Sequence, residues 1–165
     1  MKGTTVYSSR SGLEVRAVAT RKEKGGYSSE IGRVKLRAFS LEKGGGSIRM
    51  ILNTVECHRL SRSLKVVLRE KKKNTTVIIH TTNNGNGKET TARVILDYFT
   101  VKGKEGIGVI LTRDGDKVNV PMDVDTALYL SDLLLHLAME QSWETNRKVE
   151  KINEEEGEEL ELESF

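Results

Sequence analysis

"RVKLRAF", residues 33–39, and "RVILDYF", residues 93–99, agree at four of seven positions at an offset of 60. Both alternate with period two, the signature of a strand with one buried face. Val34, Leu36 and Ala38 fall on one side of the first stretch, and Arg33, Lys35, Arg37 and Phe39 on the other. The same alternation flanks it. "GLEVRAVATRK" sets Leu13, Val15 and Ala17 against Glu14, Arg16 and Thr20, and "SIRMIL" turns Ile48, Met50 and Leu52 inward. "EKGGYSSEIG" and "EKGGG" carry turn and loop chemistry.

The period then changes. In "NTVECHRLSRSLKVVLREKKK", Cys57, Leu60, Leu64, Val67 and Leu68 form one helical stripe, with Asn53 placed as N-cap and Lys71 to Lys73 at the C-terminal end. "DVDTALYLSDLLLHLAMEQSW" overlays this helix at an offset of 70: Asn53 on Asp123, Leu60 on Leu130, Ser61 on Ser131, Leu64 on Leu134, Val67 on Leu137. Between the helices, "TTVIIHTT" reads as a short strand, "NNGNGKE" as a loop, and "GIGVILTR", "DGD" and "KVNVP" as a hairpin. The expected fold class is α+β: duplicated antiparallel sheet-plus-helix units, with repeat 1 over about 12–73 and repeat 2 over about 89–143 of a domain spanning 1–151. The second helix carries two apolar stripes. Ala127, Leu130, Leu134 and Leu137 form one; Val124, Leu128, Leu135 and Met139 form the other. A helix apolar on two sides is buried on two sides. One side packs on its own sheet; the other is expected to meet the first helix, a partner subunit or both, so a homodimer is one expectation.

Charge is segregated along the chain. Residues 1–82 hold 18 basic and 6 acidic side chains, a net of +12, while 83–151 hold 9 and 11, a net of −2. Seven glutamates and no basic residue lie in "EEEGEELELESF", 154–165. A +12 half-domain points to a polyanionic partner. The acidic strip, within a tail at 152–165, cannot bury apolar surface and is expected to be disordered.

Enzyme chemistry finds little purchase. Cys57 and His58 are adjacent and would diverge on a helix, and His80 and His136 lie in separate elements. No spacing of Cys and His suits a metal, "NNGNGKET" lacks the phosphate-loop pattern, and "DGD" at 114–116 is too short for a calcium loop. A non-catalytic protein is expected, with no metal and no cofactor. No apolar run suggests a signal peptide or a membrane span. With a single cysteine, the expected location is the cytoplasm.

The row Arg33, Lys35, Arg37, Phe39 is the strongest binding candidate. Alternate residues of a strand lie about 6.7 Å apart, close to the phosphate spacing of an extended single strand. Basic rows interleaved with aromatics hold single strands without reading sequence. Arg16 and Arg49, with Ile51, widen the patch on neighbouring strands, and Phe99 is the repeat's counterpart of Phe39. The basic helix face (Arg59, Arg62, Lys65, Arg69, Lys72) reads as a solvated surface.

Strands in series followed by one helix, given twice over about residues 12–143, resemble the Whirly, Pur-alpha and transcriptional-coactivator class of single-stranded nucleic acid binders. "RVILDYFTVKGKEGIGVILTRDGDKVNVPMDVDTALYLSDLLLHLAM" is similar in layout to a Pur-type repeat. The resemblance implies a curved antiparallel sheet with helices on one face and nucleic acid on the other. The acidic run ending in Phe165 resembles the C-terminal tip of bacterial and phage single-stranded DNA-binding proteins, although Ser164 stands where that tip commonly has Pro. This implies that Glu161, Glu163 and Phe165 engage replication and repair proteins. The expected function is sequence-independent single-stranded DNA binding. An RNA binder or chaperone, or a transcription regulator acting on promoter DNA, stands as the alternative on the same fold.

Overall fold

In a computed structural model, residues 2–83, 85–150 and 161–164 are described, with backbone alone for 149–150 and 161–164. β1 (Gly3–Tyr7), β2 (Ser11–Lys24), β3 (Tyr27–Ser40) and β4 (Ser47–Leu52) lead into α1 (Thr54–Glu70). β5 (Thr75–Asn83), β6 (Glu89–Val101), β7 (Lys104–Arg113) and β8 (Asp116–Asp123) lead into α2 (Val124–Glu140). β9 (Glu144–Glu150) and β10 (Glu161–Ser164) follow. All pairing is antiparallel, in two sheets. β1, β2, β3, β9 and β10 run side by side, with β4 also on β3, and β5 to β8 form the second sheet in chain order.

The expected duplication of sheet-plus-helix units is present: four strands and then a helix, twice. β1 and β5 precede the expected repeat starts at 12 and 89, and each is the first strand of its unit. The stretch 23–32, expected as turn or loop, is instead the tip of a long hairpin. β2 and β3 stay in register from Ser11↔Ser40 to Lys24↔Tyr27. Gly25 and Gly26 supply the two positive φ values, 59° and 80°, that a two-residue turn matching strand twist requires. Lys102–Gly103 and Asp114–Gly115 close the β6–β7 and β7–β8 hairpins in the same way. "DGD" is thus a hairpin turn.

The helix readings hold at atomic detail. Asn53 Oδ1 accepts from Glu56 N at 2.8 Å, and Glu56 Oε1 accepts from Asn53 N at 3.1 Å, a reciprocal capping box. Asp123 caps α2, accepting from Thr126 N at 2.8 Å. Cys57, Leu60, Leu64 and Val67 are buried on α1, as are Ala127, Leu130, Leu134 and Leu137 on α2. They join the inner faces of both sheets in one core, where each fully buried Leu contributes roughly 1.5–3 kcal/mol.

The helices meet at the serine pair that the offset of 70 aligns. Ser61 Oγ donates to Ser131 O at 2.6 Å, and Ser131 Oγ donates to Ser61 O at 2.7 Å. Both hydroxyls are satisfied without water, and neither side chain is long enough to hold the backbones apart. Cys57 Sγ donates to Leu134 O at 3.2 Å in the same seam. The second stripe of α2 is not covered by α1: Leu128 and Leu135 are each 37% exposed and Met139 is 69% exposed.

After α2 the chain turns back onto β3. Gln141 Nε2 donates to Val18 O (2.6 Å) and Arg33 O (2.9 Å), and Gly32 N donates to Trp143 O at 3.0 Å. A Cβ at position 32 would stand 2.1 Å from Gln141 O, so only glycine admits this return. The polar stretch Glu144–Glu150 thus forms β9, which pairs with β3 at Tyr27–Ile31. Residues 151–160 and Phe165, which include most of the acidic segment, lie outside the described residues.

The serine seam makes a size prediction. Ser61→Ala removes one hydrogen bond and should cost about 1 kcal/mol. Ser61→Leu adds bulk where the helices touch and should cost about 1–3 kcal/mol and exceed the alanine value. Urea denaturation of both variants measures this; a leucine no worse than alanine would mean that the seam is not close-packed.

Candidate nucleic-acid interface

β3 decides which side chains face out of the first sheet. Gly32, Val34, Leu36 and Ala38 are buried, so Arg33, Lys35, Arg37 and Phe39 share the outer face. Cross-strand register turns this row into a grid. Phe39 lies between Gly12 of β2 and Ser47 of β4, Arg37 between Glu14 and Arg49, and Lys35 between Arg16 and Ile51. Arg16, Arg33, Lys35, Arg37, Phe39 and Arg49 are therefore brought together on one surface. Phe99 is not; it occupies the equivalent place on the outer face of the second sheet, opposite Gly106.

The two phenylalanines sit alike. A Cβ on Gly12 would fall 2.3 Å from Phe39 Cζ, and one on Gly106 would fall 2.5 Å from Phe99 Cζ. Each ring thus lies across a cross-strand glycine, covering backbone that has no side chain of its own. Phe39 is half-buried. Tyr7 meets it edge-on with centroids 6.1 Å apart, and the Arg37 guanidinium lies 4.7 Å from its centroid. Tyr7, 65% exposed, is the more accessible ring of the pair. Sequence reasoning passed over it. The signal was "YSSRSG": a tight connection sets Tyr7 directly across from Gly12, beside Phe39.

Glu14 is the one carboxylate in this grid. Its oxygens lie 3.1 Å from Lys35 Nζ, 3.5 Å from Arg16 Nη2 and 3.6 Å from Arg37 Nη2, and its side chain is only 12% exposed. Burial alone would raise its pKa. The Lys35 hydrogen bond and the charges of Lys35, Arg37 and Arg16 outweigh burial and hold the carboxyl below its ordinary value. Three cations thus share one anion. Arg49 and Arg33 have no ion pair among the described residues, and Arg49 faces Arg37 directly across the ladder. Like charges directly opposite destabilise a sheet, so this surface carries positive charge that Glu14 does not fully offset.

The other candidates do not assemble a catalytic group. Burial pushes the Cys57 thiol up to about 12, so it stays neutral. His80 Nε2 shares a 2.6 Å hydrogen bond with Glu56 Oε2, and His136 Nε2 lies 3.1 Å from Glu140 Oε1. Among the described residues no group of three or more His, Cys, Asp or Glu could hold a metal ion, and no helix is long and apolar enough to cross a membrane. Glu161 and Glu163 lie in β10, whose backbone pairs with β9.

The sequence matches no protein-family model and no curated protein. Solved structures do share the fold. The plant transcriptional regulator PBF-2 superposes with a TM-score of 0.54, 11% identity, and coverage of 85% of this chain and 81% of that one. WHY1 from Arabidopsis thaliana superposes with a TM-score of 0.53, 11% identity, and coverage of 86% and 85%. The fold is Whirly-like; at this identity the likeness is one of fold.

Glu14 supplies a pH test. Its folded pKa is depressed, so its contribution to stability is complete above the ordinary value of 4.5 and is lost as pH falls through the folded value. Wild type should therefore exceed Glu14→Gln in melting temperature at neutral pH, with the gap closing as pH drops below that value. A gap independent of pH would show that the carboxylate is not paired in solution.

Proposed function

We propose that this chain is a non-catalytic, largely sequence-independent single-stranded DNA-binding protein. The observation that carries the reading is the outer face of the first sheet: Arg16, Arg33, Lys35, Arg37 and Arg49 around a single carboxylate, with Phe39 and Tyr7 at one end. Guanidinium and ammonium groups take phosphates, and the aromatic pair offers a stacking surface for a base. Phe99 provides a second, separate ring on the other sheet. A ligand phosphate completes what Glu14 leaves unpaired.

The acidic tail is the regulatory part of the reading. Glu161, Glu163 and Phe165 recruit replication and repair proteins, and the glutamates compete with DNA phosphates for the basic face. The tether sets a local concentration on the order of millimolar. The uncovered stripe of α2, Leu128, Leu135 and Met139, is the surface through which two copies of the chain associate as a homodimer. The chain acts in the cytoplasm. One observation favours a second reading, a promoter-binding transcription regulator: a fold neighbour is titled a transcriptional regulator. Competition among single strands of differing sequence separates the two, since a regulator discriminates and a general binder does not. RNA binding on the same face is the other alternative, and competition between DNA and RNA strands of one length decides it.

Binding assays across a salt series test the face. Arg33→Ala should weaken affinity for all sequences and flatten the salt slope by about 0.7. Phe39→Ala should cost roughly 1–3 kcal/mol with little change in slope. Glu14→Gln should tighten binding at low salt. Unchanged affinity in all three would leave the face merely solvated. Deleting 154–165 should tighten DNA binding at low salt and change little near molar salt, where the contact is screened; equal low-salt affinity would remove the competition role. Loss of a host protein from a pull-down on deleting Phe165 alone is expected, and an identical pull-down would remove the recruitment role.

A further inference from the structure

Arg113 stands at the end of β7 and crosses to the other sheet, where its Nη2 donates to Arg49 O at 2.6 Å. β4 pairs with β3 on one side only, so Arg49 O belongs to its open edge. In an antiparallel ladder the N–H and C=O of one residue point to the same side. The N–H groups of Arg49 and, two residues on, Ile51 therefore face away from β3 as well. They open onto a cleft of about 560 Å³ between the edge of the first sheet and the end of the second, with His80, Thr82 and Asp114 in its wall. That volume lies within the range of about 300–1,000 Å³ of small-molecule sites.

The cleft is a place for an anion. Arg113 Nε is buried and has no partner among the described residues. Arg49 has no ion pair among them. Asp114 is the one carboxylate in the lining, and its Oδ1 already accepts from Thr91 N at 3.0 Å. His80 is held by Glu56 and forms a fixed wall. Backbone N–H groups on an open edge together with the Arg113 guanidinium, and the Arg49 guanidinium beside the rim, match the acceptor oxygens of a phosphodiester.

We propose that this cleft is a second phosphodiester site, which carries a strand leaving the outer face of the first sheet over the edge of β4. Arg49 belongs to both surfaces: its side chain stands on the outer face, and its backbone forms the rim. The inference rests on the reading of the outer face as a single-strand site and adds the path by which the strand leaves it. The row from Arg33 to Phe39 spans about 20 Å, so a short oligonucleotide is confined to the sheet and a longer one must exit.

The test uses the full chain and oligothymidines of four and twelve nucleotides, with affinity read by fluorescence anisotropy across a salt series. Arg113→Met should weaken the longer strand about tenfold at low salt and flatten its slope by about 0.7, leaving the shorter strand unchanged. Thr82→Glu, on the exposed rim, keeps the Arg113–Arg49 contact and should also weaken only the longer strand. It stands in if Arg113→Met lowers the melting temperature. Arg37→Met should weaken both. If Arg37→Met weakens both lengths while neither cleft variant affects the longer, the cleft proposal is overturned and the sheet reading stands. If Arg37→Met also changes nothing, the sheet reading fails and the cleft falls with it. Inorganic phosphate or thymidine monophosphate at millimolar concentration should leave the longer strand bound. Competition that erases the effect of Arg113→Met would assign the cleft to free phosphate and overturn the strand's passage.

Discussion

Two helices approach closely enough for serine hydroxyls to reach each other's backbone, and the architecture is organised around that approach. Ser61 and Ser131 are satisfied only because the partner helix presents its carbonyl at the same level. A larger residue at either position would separate the helices, and the sheets packed on them would follow. The reciprocity is that of a local two-fold axis, with Leu60 and Leu64 of one helix answered by Leu130 and Leu134 of the other. Neither unit can complete its core alone, because α1 and α2 close one continuous cluster that draws on both sheets. With the inner faces thus committed, the outer faces are left to solvent or ligand.

The second constraint is the register of β3. Its period of two leaves no freedom: a slip by one residue would bury three cations and expose Val34, Leu36 and Ala38. The register also places Phe39 on Gly12, Arg37 opposite Arg49, and Glu14 among three cations. The outer face is therefore a consequence of the core. Glu14 stabilises the clustered cations of the fold; on the proposed reading it also opposes a phosphate that would replace it.

What the sequence disclosed followed its periodicities. The alternation of 33–39, the stripes of both helices, the Asn53 and Asp123 caps and the offsets of 60 and 70 are local signals, and each is found in the structure. The return strand β9 is polar and short, and it exists because Gln141 and Gly32 dock it on β3. No local pattern encodes that pairing. The apex of β2 and β3 was obscured by glycines and serines that read as loop, although Gly25 and Gly26 are a hairpin turn inside continuous pairing. Six of the seven basic and aromatic positions proposed from sequence share a face because strand alternation reports facing directly. The roles of Tyr7 and Glu14 depended on cross-strand neighbours, which periodicity alone does not name.

The offset of 60 also shows how the duplicated frame has diverged in chemistry. Arg33 and Phe39 are retained as Arg93 and Phe99, but Lys35 corresponds to Ile95 and Arg37 to Asp97. The second sheet keeps the ring-on-glycine arrangement, with Phe99 over Gly106, and exposes Ile79 and Val101. Asp97 is engaged with Asn74 N at 2.9 Å. Backbone and core are duplicated, whereas the density of positive charge is not. Positive charge is therefore concentrated on the first sheet, while the outer row of β6 keeps one arginine, Arg93, beside Ile95, Asp97 and the ring of Phe99. Two solved structures reach the same fold at 11% identity, so the frame tolerates almost complete replacement of side chains. On the proposed reading, what this chain binds is decided on the outer side of β3, where strand alternation sets the cations opposite buried residues.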